Sequence, residues 1–495
     1  MFRALATIAV SCLLSLSFAA CSDDAENVGT SDAGLAEDAN SNADATEPDA
    51  TRANDAGSTA GKSDRFVMSF GGKGNDEGQA IAVMPDGTLA VAGYTESAGQ
   101  GDWDGLLVSM TSCGKVRWAR TYGGAKKDEI TGIAVSPDGG IAMVGTTGSF
   151  KGANEAWLVK TDKDGKLQWS KTFGGNGYDA GLAIGALADG YIVVADTYNF
   201  GPGTPDNHNM MVVRTDATGA MQWEKTFGGA LEGDAGFVVL PLPDKTTKTA
   251  VIMLGGATES YSQGHDDVWL TRLLDGGDVA WSKAYGGPQD DELRGLIQTD
   301  DGGFMMTGFT RGFAAAKTDT FLLRTDAKGK LQWFHHYGGK ERERGYAVFE
   351  VAGGFLVAGH TSSFGFGFED GYLMKADTTG KLLWWHNLGG KSGEQILAAR
   401  KMGEGVVMTG RSSSFTADKA RELFVMRADK AGNTGCGIQV MNLEDVKNAP
   451  ATPTTEDVVA QTATGVTEKS PKTVSEVVSD VTTWMKTPCS SGVCE

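Results

Sequence analysis

Between residues 66 and 436 the apolar positions come in short runs, broken every few residues by Gly, Asp, Asn or Pro. Residues 175–229 show the unit. Gly181–Leu187 is an apolar-rich run ended by Ala188-Asp189-Gly190, and Tyr191–Thr197 is a second run. After a loop of Gly, Pro and Asn comes Met210–Thr215. The turn Asp216-Ala217-Thr218-Gly219 follows, and then Met221–Phe227. Runs this short, bounded by turn residues and rich in Val, Ile, Thr and aromatics, predict four strands joined by hairpins.

The unit repeats. A Gly-Gly pair recurs at 71–72, 123–124, 174–175, 228–229, 286–287, 338–339 and 389–390, with spacings of 52, 51, 54, 58, 52 and 51. Five residues before each pair stands Trp118, Trp169, Trp223, Trp281, Trp333 or Trp384, with Phe66 in the first copy. An Asp-x-x-Gly turn, or a degenerate form of it, ends at Gly114, Gly165, Gly219, Gly277, Gly329, Gly380 and Gly432. Four antiparallel strands per repeat of about 50 residues is the signature of a propeller blade. The predicted fold is therefore all-β, a seven-bladed β-propeller of four-stranded antiparallel blades over residues 64–436. The first Gly-Gly pair precedes any complete blade, and the last turn has no Trp strand after it. Phe66–Phe70 should therefore be the outer strand of blade seven, closing the ring between the chain ends and leaving no open edge. The glycine count, 70 of 495, agrees with many tight turns, and 12 prolines exclude a collagen-like or proline-rich chain.

The chain outside the repeats reads differently. Arg3 followed by apolar and small residues to Ala20 predicts a signal peptide over residues 1–20. Residues 22–63 hold ten acids against Arg52 and Lys62, with Val28 and Leu35 as the only larger aliphatics. They predict a disordered linker. Such a chain reaches ~35 Å root-mean-square. Residues 437–495, rich in Thr, Val, Pro and Glu, form a tail with no assignable fold, although Val474–Val481 suits a strand or a short helix. The net charge of −19 excludes nucleic-acid binding through a basic surface.

Several stretches resemble known proteins. Thr215-Asp216-Ala217-Thr218-Gly219-Ala220-Met221-Gln222-Trp223-Glu224-Lys225-Thr226-Phe227-Gly228-Gly229 resembles the repeats of bacterial extracellular β-propeller proteins, often secreted or lipidated and mostly of unassigned function. Its Asp-x-Thr-Gly-x-x-x-Trp core resembles the tryptophan-docking motif of quinoprotein propellers and of an outer-membrane assembly lipoprotein. Those have eight blades where seven are expected here. The adjacent cysteines that many quinone enzymes use are absent, so a quinone site is not implied. The sialidase Asp-box is similar, but its glycine follows the Asp at a different distance. The small residues before Cys21 resemble a bacterial lipobox, with Phe18 in place of the usual Leu. The resemblance implies that Cys21 is the lipidated N-terminus, that residues 21–63 are a lipid-anchored tether, and that Ser22 directs the protein to the outer membrane or cell surface.

No catalytic constellation is visible. The six histidines, His208, His265, His335, His336, His360 and His386, show no metal-ligand spacing, and no Gly-x-Ser-x-Gly elbow occurs. The Gly-Gly loops each carry an acid: Asp76, Asp128, Asp179, Asp234, Asp291, Glu343 and Glu394. The loop before strand three carries Asp104, Glu155, Asp267, Asp319, Asp370 and Glu422, with Asn209 in blade three. Both loops fall at one end of the meander. They predict either an acidic face around the channel mouth, suited to a cationic ligand or to calcium, or carboxylates that fix the turns by accepting backbone N–H bonds. Loop aromatics (Trp103, Phe150, Tyr261, Phe313, Phe364, Phe366 and Phe415) pack between blades or offer stacking contacts. Besides Cys21, the mature chain keeps Cys113, Cys436, Cys489 and Cys494. An even number in an exported protein suggests disulfides. Repeat register puts Cys113 beside Cys436, and Cys489 and Cys494 enclose a short loop. The expected function is a non-catalytic surface protein, its propeller monomeric, binding an extracellular glycan or protein. The alternatives are a polysaccharide-acting enzyme at the channel mouth and a scaffold of an envelope assembly. Unlike residues at the mouth, breaking the seven-fold pattern, would distinguish an enzyme.

Overall fold

The computed structural model describes residues 65–434, short loop segments excepted, and beyond them the backbone of six strands between Ile438 and Ser490. The signal, the tether with Cys21, and Cys436 and Cys494 lie outside the described residues.

The opening strand is β1 (Phe66–Phe70). Blade one is β2 (Asp76–Val83), β3 (Leu89–Thr95), β4 (Asp104–Met110) and β5 (Val116–Gly123). Blade two is β6 (Asp128–Val135), β7 (Ile141–Thr147), β8 (Glu155–Thr161) and β9 (Leu167–Phe173). Blade three is β10 (Asp179–Leu187), β11 (Gly190–Tyr198), β12 (His208–Asp216) and β13 (Met221–Gly228). Blade four is β14 (Ala235–Pro243), β15 (Ala250–Thr258), β16 (Asp267–Leu273) and β17 (Val279–Gly286). Blade five is β18 (Asp291–Gln298), β19 (Phe304–Thr310), β20 (Asp319–Thr325) and β21 (Leu331–Gly338). Blade six is β22 (Glu343–Val351), β23 (Gly354–Thr361), β24 (Asp370–Ala376) and β25 (Leu382–Leu388). Blade seven is β26 (Glu394–Met402), β27 (Gly405–Ser412) and β28 (Glu422–Ala428), completed by β1.

All the pairings are antiparallel meanders, and the first strand of each blade packs against the first strands of its two neighbours. The seven first strands therefore surround the axis of a seven-bladed β-propeller. Each carries a bulge after its second or third residue, as between Gly78 and Ala80 or between Ile396 and Ala398. A bulge bends a strand and increases its twist, which suits an element at the crowded centre. The apolar cores lie between consecutive blades. One such layer, between blades seven and one, brings Phe66, Met68 and Val425 against Ile81, Leu106 and Val108. As expected, β1 pairs with β28, with Phe66 opposite Arg427 and Phe70 opposite Leu423.

The Trp strands dock onto the turn of the next blade. The glycines of these turns have φ between 76° and 86°, which only glycine adopts without strain. A Cβ at Gly165 would fall 2.6 Å from the Trp118 ring, and one at Gly219 would fall 2.6 Å from Trp169. Trp223 Nε1 donates to the Asp275 carbonyl at 3.0 Å, fixing blade three on blade four. At Gly114 the residues packed against the turn are Met68 and Phe66, so β1 occupies the Trp position of blade seven.

The tail adds to the ring. Its sequence has no assignable fold, and it supplies a fifth, outermost strand to six blades. β29 (Ile438–Val440) pairs with blade six, β30 (Lys447–Ala451) with five, β31 (Thr454–Asp457) with four and β32 (Gln461–Ala463) with three. β33 (Ser475–Val477) then pairs with blade one, and β34 (Met485–Ser490) pairs with β1 in blade seven. The tail thus runs around the rim against the direction of the blades. Blade two has no fifth strand among the described residues. Cys489 lies on β34 opposite Val67.

Candidate functional site

The register of each blade brings the start of its first strand, the end of its second and the start of its third to the same end: Asp76 opposite Thr95, and Thr95 opposite Asp104. Both sets of acids stand at this end. They do not form an exposed acidic face. Asp76, Asp128, Asp179, Asp234, Asp291, Glu343 and Glu394 are each at most 2% exposed. Each closes its own Gly-Gly loop. The second glycine N–H donates to Asp76 at 2.9 Å, to Asp128, Asp179, Asp234, Asp291 and Glu343 at 2.8 Å, and to Glu394 at 2.6 Å. The other carboxylate oxygen accepts from the hydroxyl that ends the second strand, as Thr258 to Asp234 at 2.5 Å, Thr361 to Glu343 at 2.7 Å and Ser412 to Glu394 at 2.8 Å. A serine two residues on adds Ser149 to Asp128 at 2.6 Å and Ser97 to Asp76 at 2.8 Å. That Thr or Ser recurs at 95, 147, 197, 258, 310, 361 and 412, a signal present in the sequence and missed there.

The second set is buried as well. Asp104 accepts from Gln100 and Gly101 N–H at 2.9 and 3.0 Å, Asp370 from Gly367 N–H at 3.0 Å, and Asp319 lies 2.7 Å from His336 Nδ1. The two sets meet across the first glycine of each pair. A Cβ at Gly123 would fall 2.5 Å from Asp104 Oδ1 and 2.7 Å from Asp128 Oδ2. Burial raises the pKa of Asp76, Asp104, Asp179, Asp234 and Glu343, and it pushes Asp291 and Asp370 up to about 7. Among the described residues no group of three or more His, Cys, Asp or Glu is arranged to hold a metal ion.

The loop aromatics mostly pack. Phe150 lies against Trp157, Tyr261 against Trp269, Phe313 against Phe334, and Phe364 against Trp385, with ring centroids 5.2–6.0 Å apart. Trp103 stacks on Tyr94 at 4.4 Å, with Lys127 over its ring. Phe366 is exposed, and Phe415 lies outside the described residues. His336 and His335 diverge: one meets Asp319, the other packs against the Gly380 turn of blade six.

One ring of positions does break the seven-fold pattern. The residue after each buried acid is Glu77, Glu129, Ala180, Ala235, Glu292, Arg344 or Gln395. Their partners across the first hairpin are Tyr94, Thr146, Asp196, Ala257, Phe309, His360 and Arg411. These groups are tied to one another. Arg411 and Arg421 donate to Glu77 at 2.7 and 3.4 Å, Arg294 to Glu292 at 2.5 Å, and His208 lies 3.0 Å from Asp196. Burial, and after it the charges of Arg344 and Arg411, lowers His360 to about 3. On the opposite side, burial together with Glu292, Asp290 and Glu259 pushes Asp266 up to about 7. Arg344, Arg411 and Arg421 thus gather around blades six and seven, beside Glu77 and Glu369, and Glu259, Asp266, Asp290 and Glu292 gather around blades four and five, beside Arg294 and Arg311.

No protein-family model matches the chain, and no curated protein matches it. Among solved structures, Sqt1 from Chaetomium thermophilum is 14% identical, with 73% of this chain and 98% of that chain covered and a TM-score of 0.37. An endo-1,5-alpha-L-arabinanase from Thermotoga petrophila RKU-1 is 11% identical, with 70% and 83% covered and a TM-score of 0.23. The propeller assignment rests on the strand pairing itself.

Proposed function

We propose that this chain is a non-catalytic binding protein, held at the outer membrane or cell surface by a lipid on Cys21, whose propeller engages an extracellular glycan or protein at its loop-rich mouth. The observation that carries the reading is the unlike ring from Glu77 to Gln395, set on a scaffold whose other features recur blade by blade. These residues stand at the heads of the axial strands, and a repeated fold varies where it need not serve its own packing. The mouth charges are largely tied to each other in ion pairs, which favours a recognition surface over a set of acids and bases. The test is capture by the intact chain on a glycan array and in crosslinking from cell surfaces. Retention of a ligand that an Arg344→Ala variant loses supports the reading; retention of nothing overturns it. The anchor has its own test. Cys21→Ala should abolish palmitate labelling and release the protein from membranes, and unchanged labelling would refute it.

The unlike mouth also gives a second reading weight, that of a polysaccharide-acting enzyme. Burial, and after it the charge of Glu77, raises the pKa of Glu129, while two arginines hold Glu77. Two carboxyl groups held in unlike environments are the pairing that glycoside hydrolysis uses. Cleavage of an oligosaccharide that Glu129→Gln abolishes would establish this reading in place of the first.

A further inference from the structure

A groove of about 510 Å³ opens on the loop face between blades six and seven. That volume is within the ~300–1,000 Å³ of small-ligand clefts. Its floor is backbone fixed from both sides. Phe368 N–H donates to the Ser392 carbonyl at 3.1 Å, Glu394 N–H to the Glu369 carbonyl at 2.7 Å, and Ser413 N–H to the Gly393 carbonyl at 2.9 Å. Gly367 admits no side chain, because a Cβ there would run into the Ser392 carbonyl. The loops of both blades are thus held before a ligand arrives, which lowers the ordering cost of binding.

Two kinds of side chain line it. Arg411 and Arg421 share the buried Glu77, and the Arg421 side chain is 50% exposed. A guanidinium has five N–H donors, so bonds to one shared carboxylate leave donors over. Glu369, the acid of the groove, accepts from the Gln395 amide. Phe368 is 88% exposed, an apolar ring with no packing role to account for it. The rest of the lining is hydroxyl and amide: Ser362, Ser392, Ser413 and Gln395.

We propose that this groove binds an acidic carbohydrate of the hexuronate class, a reading that rests on the binding function above and specifies its ligand. The sugar carboxylate lies against Arg421 and Arg411, whose planar forks match a carboxylate in two parallel bonds. The apolar face of the sugar ring covers Phe368, and its hydroxyls meet the serines. An acidic peptide would satisfy the arginines equally. It would gain little from a groove with one exposed ring and an otherwise polar lining.

Calorimetric titration of the intact chain decides it, with tri-galacturonate and a hyaluronan tetrasaccharide as acidic probes and neutral galactotriose as control. We expect at least one acidic probe to bind tenfold or more tighter than the control. Arg421→Gln and Phe368→Ala should each weaken that binding tenfold or more with the melting temperature unchanged, since both side chains are exposed. Equal binding of acidic and neutral probes, undiminished binding in both variants, or no binding of either acidic probe overturns the proposal. If a hexa-glutamate peptide alone binds, and depends on Arg421, the carbohydrate assignment is wrong while the binding function stands. If nothing binds here or on the array, both fail.

Discussion

A carboxylate at the head of each axial strand ties down the loop that leads into it, and this explains why the acids recur without forming a charged face. Two carboxyls meet out of water at six of the seven blade junctions, the junction of blades three and four pairing Asn209 with Asp234, and this burial raises the pKa of one acid of each pair. Asp370 is the clearest case. Burial and the charge of Glu394 push it up to about 7 against the Gly367 N–H bond. An unfolded Asp titrates near 3.9. Between those values the folded chain holds a proton that the unfolded chain has released. The stabilisation is therefore complete below about pH 4 and is lost as pH rises through about 7. The chain should melt at a higher temperature at pH 5.5 than at pH 8, and Asp370→Asn should reduce that difference while leaving the fold intact, Asp291 and Asp266 carrying the rest. Blade three already carries Asn209 at the equivalent position, 1% exposed. A melting temperature independent of pH in the parent chain would refute the shared-proton account. Cys113 is the other residue with a consequence. It is disulfide-bonded, and no other cysteine side chain is among the described residues. Repeat register makes Cys436 the expected partner, in the place where complete repeats put Trp. The bond would close most of the propeller into one loop, for which chain entropy gives about 5 kcal/mol as an upper figure. Non-reducing peptide mapping should yield Cys113 joined to Cys436, and a Cys113 peptide joined to Cys489 or Cys494 would correct the pairing.

At the scale of the element, the blade is a strand meander whose fourth strand reaches forward to the next blade. Gly165 shows what this demands: φ of 76° and the Trp118 ring where a Cβ would stand. Gly165→Val should cost about 2–5 kcal/mol, from left-handed backbone strain of ~1–2 and overpacking of ~1–3, measurable as a lower urea midpoint. A change below 0.5 kcal/mol would show that the docking is slack. These elements were legible in the sequence because each has a local mark: an apolar run, a turn ending in Gly, and a Trp four residues on. The acid positions were legible for the same reason. Their burial was not, because it depends on a hydroxyl about 20 residues away, as Thr147 is from Asp128. Apart from β33, which falls within Val474–Val481, the tail strands escaped notice because they are three to six residues long, and Thr454–Asp457 or Gln461–Ala463 show no apolar alternation. Such strands pair by backbone bonds along an edge that only the finished blades create. The groove was illegible too, since Phe368 and Arg421 come from different blades and acquire meaning only by adjacency.

At the scale of the whole molecule, the fold must solve two problems of edges: where the ring closes and what covers its outer rim. Both solutions meet at β1. It pairs on one side with β28, which closes the ring, and on the other with β34, the last strand of the tail. The tail thus returns to the strand with which the propeller begins. The intervening tail strands cover the outer edges of blades six, five, four, three and one, and exposed edges of this kind invite pairing between molecules. Removing residues 438–495 should therefore lower the melting temperature and promote association through the uncovered edges. Deleting residues 64–72 should do more damage. It removes the closing strand, the residues packed on the Gly114 turn, and the partner of β34 together. Because β34 has nothing to pair with once β1 is gone, the two deletions should be less than additive, as expected of elements in direct contact. The comparison needs the parent chain, each deletion and the double deletion, followed by thermal unfolding and by light scattering. Full additivity would mean that β34 stabilises the ring independently of β1. A tail-deleted chain that stays monomeric with an unchanged melting temperature would mean that the outer strands contribute nothing to the stability of the propeller.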